Sequence, residues 1–123
     1  MHKSKLFSLY ILLILLIADC GSNQELSIKL TNETSGVIDT ITISVAIDKR
    51  QSVSAYNLQR FDSITLSFVP EVEGDGELFL SISQDTVKGS TGFGYYTNGS
   101  FLTSYFNIIV KSSDTGIVFL RGL

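Results

Sequence analysis

The chain contains one cysteine, one proline, one histidine and no tryptophan. With Cys20 alone, no intramolecular disulfide can staple the fold, so a folded domain must rest on apolar burial. The one histidine, His2, follows the first methionine. The body of the chain therefore lacks an imidazole for general-base catalysis, a Ser-His-Asp arrangement or metal ligation. Positive charge is also scarce: nine Lys and Arg stand against twelve Asp and Glu, a net charge of −3, with no basic run. That balance argues against nucleic acid as a partner and against docking on anionic lipid by charge. No apolar run reaches membrane-spanning length. The run at residues 6–18 has 13 residues, which as a helix is ~20 Å against a hydrocarbon core of ~30 Å.

What the N-terminus does have is a pattern. Lys3 and Lys5 precede the apolar run, which stops at Asp19-Cys20-Gly21; a basic start and a short apolar middle are marks of an export signal. The segment Ile17-Ala18-Asp19-Cys20 resembles the lipobox of bacterial lipoproteins, with Asp19 standing where that family usually has Gly, Ala or Ser. The resemblance implies that residues 1–19 are a signal peptide and that the Cys20 sulfur receives a diacylglyceryl group and becomes the new N-terminus. Residues 20–24 would then be the lipidated cysteine and a short linker, with the folded domain at 25–123. Ordinary cleavage after Ala18, giving a secreted protein with a free thiol, is the alternative, and an uncleaved signal anchor is a third reading. Four flexible residues reach ~11 Å on average, so a lipidated chain holds its domain close to the bilayer surface. By the same resemblance Gly21 is compatible with sorting to an outer membrane, because Asp at that place usually retains such proteins at the inner one. An acylated Cys20 leaves no thiol nucleophile, and no enzyme is expected.

From Cys20 onward the chain keeps seven basic and eleven acidic side chains and is long enough for one domain with a single core. Apolar and polar residues alternate with a period of two. Leu26, Ile28 and Leu30 form one such series; Ile41, Ile43, Val45 and Ile47 form the cleanest. Val53 to Leu58 is weaker, and Ile64, Leu66, Phe68 and Leu78, Leu80, Ile82 repeat the pattern. Ser113-Asp114-Thr115-Gly116 turns the chain into a last strand at 117–120. No helical stripe interrupts them. The expected fold is all-β: a single antiparallel β-sandwich of seven to eight strands, immunoglobulin-like in architecture only, since paired cysteines and a core tryptophan are missing.

Residues 92–111 read as a hairpin around Asn98-Gly99, a pair suited to the type I′ turn. A two-residue turn pairs Thr97 with Ser100, Tyr96 with Phe101, Tyr95 with Leu102 and Gly92 with Tyr105. Alternation then assigns Phe93, Tyr95, Leu102, Phe106, Ile108 and Val110 to the core. It assigns Tyr96, Phe101 and Tyr105 to an outer face, where three rings beside bare glycines could stack on a glycan or anchor a protein. The ordinary reading is that these rings protect the strand or lie under a loop at 84–90. Elsewhere, Glu71-Val72-Glu73-Gly74-Asp75-Gly76 opens like a calcium loop, but its twelfth position is Ile82, which cannot supply the closing carboxylate. A hydrated hairpin loop is the expectation, and no metal or cofactor is expected. Asn32-Glu33-Thr34 and Asn98-Gly99-Ser100 match the N-glycosylation pattern by chance composition.

Residues 17–20, the stretch 32–44 leading into the first clean strand, and Phe93-Gly94-Tyr95-Tyr96-Thr97-Asn98-Gly99 together resemble small lipoproteins of unknown function common in Bacteroidota. The resemblance implies a place and a fold, with no catalytic residues to carry over. The expectation is a lipid-anchored, non-enzymatic module at the cell envelope that interacts with another protein. The alternative is a small-ligand or glycan-binding module using Tyr96, Phe101 and Tyr105. A hydrolase using Glu73 and Asp75 is a distant third, since so small a sandwich rarely forms the necessary cleft.

Overall fold

The computed structural model describes residues 24–122. The signal segment 1–19, Cys20 and residues 21–23 lie outside the described residues, as does Leu123. Nine strands follow one another: β1 (Leu26–Glu33), β2 (Ile38–Val45), β3 (Asp48–Leu58), β4 (Ser63–Phe68), β5 (Gly76–Gln84), β6 (Val87–Thr97), β7 (Ser100–Phe101), β8 (Tyr105–Ser113) and β9 (Gly116–Arg121). They form a four-stranded sheet, ordered β4-β1-β8-β9, and a five-stranded sheet, ordered β3-β2-β5-β6-β7. The two pack as a β-sandwich, the all-β class the alternating pattern dictates. No helix occurs among the described residues.

Period-two alternation explains the core directly. Leu26, Ile28 and Leu30 of β1, Ile41, Ile43 and Val45 of β2, and Leu78, Leu80 and Ile82 of β5 are fully buried between the sheets. Leu66 and Phe68 of β4 and Ile108 and Val110 of β8 join them. Ile47 departs from its series. β2 ends at Val45, Ala46-Ile47 is the turn into β3, and the Ile47 side chain stands in solvent.

Among the described residues all pairings are antiparallel except one: β1 runs parallel to β8. That pair changes the expected hairpin. The Asn98-Gly99 turn forms, with both residues at positive φ (51° and 74°), and Thr97 pairs with Ser100 and Tyr96 with Phe101. After Phe101, however, the chain leaves this sheet and crosses to the other to become β8, so the outer pairs from Tyr95–Leu102 to Gly92–Tyr105 do not form. The stretch 84–90 is likewise not a covering loop. Asp85-Thr86 is a tight turn, and β6 runs back along β5 from Val87, pairing Gln84 with Val87 and Phe79 with Gly92.

Strand directions sort the loops into two poles. The chain enters β1 at the pole that also carries turn 46–47, loop 69–75, turn 98–99 and loop 102–104. Loops 34–37, 59–62, 85–86 and 114–115 form the opposite pole. Eight residues of strand separate the two by ~27 Å.

Candidate functional site

The three rings expected on one outer face are not together. Tyr96 is 1% exposed and Phe101 6%, whereas Tyr105 is 54% exposed. Tyr96 and Phe101 instead pack against each other within the core, their rings tilted by 57° with centroids 5.1 Å apart. The cause is a bulge: Gly76 pairs with Tyr96 and Leu78 with Phe93, so three steps on β6 oppose two on β5. Gly94 absorbs the extra residue at a φ of 64°, a conformation glycine adopts without the Cβ penalty. Alternation resumes one residue out of phase, which turns Tyr96 inward and Tyr95 outward. Leu102, also expected in the core, is 79% exposed because the chain is already leaving the sheet.

Tyr105 and Gly92 do share a surface, though across a gap between the sheets rather than across a hairpin. A cleft of about 240 Å³ opens between β6 and the β8–β9 pair. Phe93 and Phe106 meet edge to face on its floor at 5.3 Å, a favoured geometry for aromatic rings. Tyr105, Thr103 and Arg121 stand at its rim. The parallel β1–β8 pair brings Arg121 there, a non-local placement that no local pattern in the sequence marks.

The acidic segment 71–76 crosses from β4 in one sheet to β5 in the other and is therefore not a hairpin loop. Its polar groups are tied to neighbouring elements. Asp75 Oδ1 accepts the Asn98 N–H at 3.0 Å, the Gly74 carbonyl accepts the Gly99 N–H at 2.8 Å, and the Gln51 amide bonds the Glu71 backbone on both sides at 2.8 and 2.6 Å. Among the described residues no group of three or more His, Cys, Asp or Glu could hold a metal ion. Nearby, Asp48 is held below the usual carboxylate range, first by its hydrogen bond with Arg50 and then by that with Gln51.

The opposite pole carries a feature that alternation did not mark. Phe61 is 67% exposed and sits at a φ of 68°, a conformation that is an outlier for a bulky side chain. The Arg60 guanidinium lies over its ring, 4.4 Å from the centroid, a cation–π arrangement. What holds the tip is Asn32. Its backbone carbonyl accepts the Phe61 N–H at 2.6 Å and its N–H donates to the Asp62 carbonyl at 2.9 Å. Its buried side chain donates to Gly36 O at 2.8 Å and Leu58 O at 2.9 Å, and accepts from the Thr34 N–H and hydroxyl at 2.9 and 2.6 Å. Every hydrogen-bonding position of that amide is filled. The Asn32 of the first glycosylation-like triplet is thus a structural amide, fully buried.

Neither a protein-family model nor a curated protein sequence matches the chain. Among solved structures, it is similar to the NMR structure of a protein from Eubacterium rectale. The match has a TM-score of 0.55 and 15% identity, and covers 80% of this chain and 91% of that one. At that identity the likeness concerns the fold.

Proposed function

We propose that the chain is a lipid-anchored, non-enzymatic module of the cell envelope that binds another protein. One observation carries the binding half of this reading: a phenylalanine held exposed in a left-handed conformation, with an arginine stacked on it. Strain of this kind costs of order 1–3 kcal/mol and persists only where surrounding structure over-determines it, a circumstance that clusters at binding sites. Arg and aromatic side chains dominate the energetically decisive residues of protein interfaces, and the Asn32 node keeps the loop ordered before a partner arrives. The lipidated half rests on the Ile17-Ala18-Asp19-Cys20 segment and implies a place on the outer membrane where the cell has one.

A photoactivatable side chain in place of Phe61 tests the binding half in intact cells. A discrete protein adduct from position 61, absent from a probe in place of the exposed Tyr56 of β3, is the expected result; adducts from both or from neither refute the reading. Mass spectrometry of the exported N-terminus tests the other half, with an acylated fragment beginning at Cys20 expected and an unmodified one beginning at Asp19 against it.

A second reading has its own observation. The cleft rim combines Tyr105, Thr103 and Arg121 around an aromatic floor, a set of groups suited to a sugar ring. The glycan alternative therefore moves from the three-ring face to this cleft, with Tyr105 alone retained. Replacing Tyr105 by Ser should abolish retention on the relevant envelope glycan while leaving the melting temperature unchanged.

A further inference from the structure

The place where the chain enters the domain is bordered by exposed apolar side chains on both flanks. β1 lies between β4 and β8. On one side Val69, one residue past the Leu26–Phe68 pair, is exposed. On the other side, Leu102 and Tyr105 are exposed where the chain crosses into β8. Leu102, at 79%, has the highest exposure among the large apolar side chains of residues 24–122. Its loop is held against the first residues of the domain at both ends: Gln24 Oε1 accepts the Phe101 N–H at 3.1 Å, and Ser27 N–H donates to Ser104 O at 2.8 Å.

We infer that Leu102, Tyr105 and Val69 form a lipid-contacting row that seats this pole on the bilayer surface in which Cys20 is anchored. The inference rests on the lipid-anchored reading and adds an orientation to it. The occupant follows from the length of chain outside the structure and from where it ends. Cys20 stands four residues before Gln24, a reach of ~11 Å, and Gln24 is bonded to Phe101, next to Leu102, so a lipid on Cys20 would keep this pole close to the bilayer. Charge selects the lipid. Glu25, Asp48, Glu71, Glu73, Asp75 and Glu77 outnumber Lys49, Arg50 and Arg121 at this pole, so the row suits a zwitterionic surface and not an anionic one. A tyrosine at the margin of such a contact keeps its ring in the interface and its hydroxyl in water. Seated this way, the domain carries Arg60 and Phe61 at its membrane-distal end.

The absence of tryptophan supplies the test. Full-length chain, processed in cells and reconstituted into phosphatidylcholine vesicles with brominated acyl chains, is compared in three single-tryptophan variants: Leu102→Trp, Val69→Trp and Phe61→Trp. The first two should lose about half their emission and shift to shorter wavelength, as expected of rings seated ~5–10 Å into the headgroup boundary, while Phe61→Trp should not change. If the protein floats with the vesicles but Leu102→Trp and Val69→Trp are no more quenched than Phe61→Trp, the seating is wrong and the anchor stands. Equal quenching of all three also refutes it. If the processed chain carries no acyl group and fails to float, the lipid-anchored reading falls and the seating with it.

Discussion

Tyr96 lies across Gly76, its partner in the β5–β6 pairing, so closely that a methyl group on Gly76 would come within 2.6 Å of Tyr96 Cζ. The hairpin register expected from the sequence sets the Tyr105 ring beside a bare glycine, Gly92. The structure forms that device on a different pair and buries it, while the Gly92 α-carbon is covered by the Glu77 carboxylate. The arrangement needs both partners: the glycine makes room, and the ring replaces the contacts that the missing side chain would have made.

Gly76→Ala should therefore destabilise the fold by about 1–3 kcal/mol through overpacking. Tyr96→Phe should act in the opposite direction. The Tyr96 hydroxyl is buried and has no hydrogen-bond partner among the described residues, and removing an unsatisfied buried polar group is worth about 1 kcal/mol. Tyr96→Ser, by contrast, empties one of the largest fully buried side chains at a cost of about 3–5 kcal/mol. Urea unfolding of the three variants checks the ordering, Phe above wild type and Ala and Ser below it.

Gly94 determines which tyrosine faces inward. A side chain there pays roughly 1–2 kcal/mol for the left-handed conformation. Its Cβ would also press on Leu78 and Phe106, each 3.2 Å away. Gly94→Ala is expected to lower stability by about 1–3 kcal/mol. A matched Gly74→Ala change is the control, because that glycine also has positive φ but no atom within 4 Å of an added Cβ. It should cost only the backbone share. The difference between the two midpoints measures the crowding at the bulge.

These glycines also mark the limit of what the pattern of residues reveals. The strands themselves were legible, because Ile41, Ile43 and Val45 or Leu78, Leu80 and Ile82 alternate without interruption and a half-buried sheet requires that. So was the Asn98-Gly99 turn, since its residues tolerate positive φ. The face of Tyr96 was not legible. One bulge residue inverts every assignment beyond it, and Gly94 reads equally well as a bare strand position. The departure of the chain at Leu102-Thr103-Ser104 carries no glycine or proline to signal it. Its cause is the parallel pairing of β8 with β1, some 78 positions away along the Ser27–Tyr105 pair, and no local periodicity encodes that. Phe61 was invisible for a different reason: its significance is conformational, and an isolated aromatic in a polar stretch looks ordinary.

The Phe61 strain can be measured apart from any partner. Glycine at position 61 removes the steric penalty but adds freedom to the unfolded chain, leaving a net gain of about 0.5–1 kcal/mol. Phe61→Gly should therefore raise the urea midpoint. A loss of stability instead would mean that the ring packs usefully and that no strain is held for binding.

Asn32 joins β1, the end of β3 and the 34–37 loop through one buried amide, and Thr34 extends the node to Gln84 at 2.8 Å. Asn32→Ala strands the Leu58 carbonyl and the Thr34 amide N–H, each costing about 1–3 kcal/mol when buried without a partner, while the Gly36 carbonyl keeps the Thr34 hydroxyl at 2.9 Å. The expected loss is at least about 2 kcal/mol, a large share of the total for a domain of this size. Asn32→Asp should be worse, because a carboxylate accepts from Thr34 but faces the Gly36 and Leu58 carbonyls with no hydrogen to give. Amide hydrogen exchange gives the site-specific readout: protection at Phe61, whose N–H is bonded to the Asn32 carbonyl, should fall first.

Asp48 gives the pH dependence a sign. Arg50 Nε lies 3.1 Å from Asp48 Oδ1, and Gln51 Nε2 donates to Oδ2 at 3.4 Å. Both favour the ionised carboxyl, so its pKa is lower in the folded chain than in the unfolded one. The contribution is then fully present above the unfolded value and is lost as pH falls through the folded value. Acid therefore loosens the β2–β3 turn and alkali does not. The pair is solvent-exposed, so salt should shrink the effect. A carbon-detected NMR titration checks it. The Asp48 carboxyl should titrate below the 3.8 expected of a free side chain, and Arg50→Ala should move its midpoint upward. Raising the salt should do the same in the wild-type protein. An Asp48 midpoint that ignores both changes would show that the hydrogen bonds to Arg50 and Gln51 do not persist in solution.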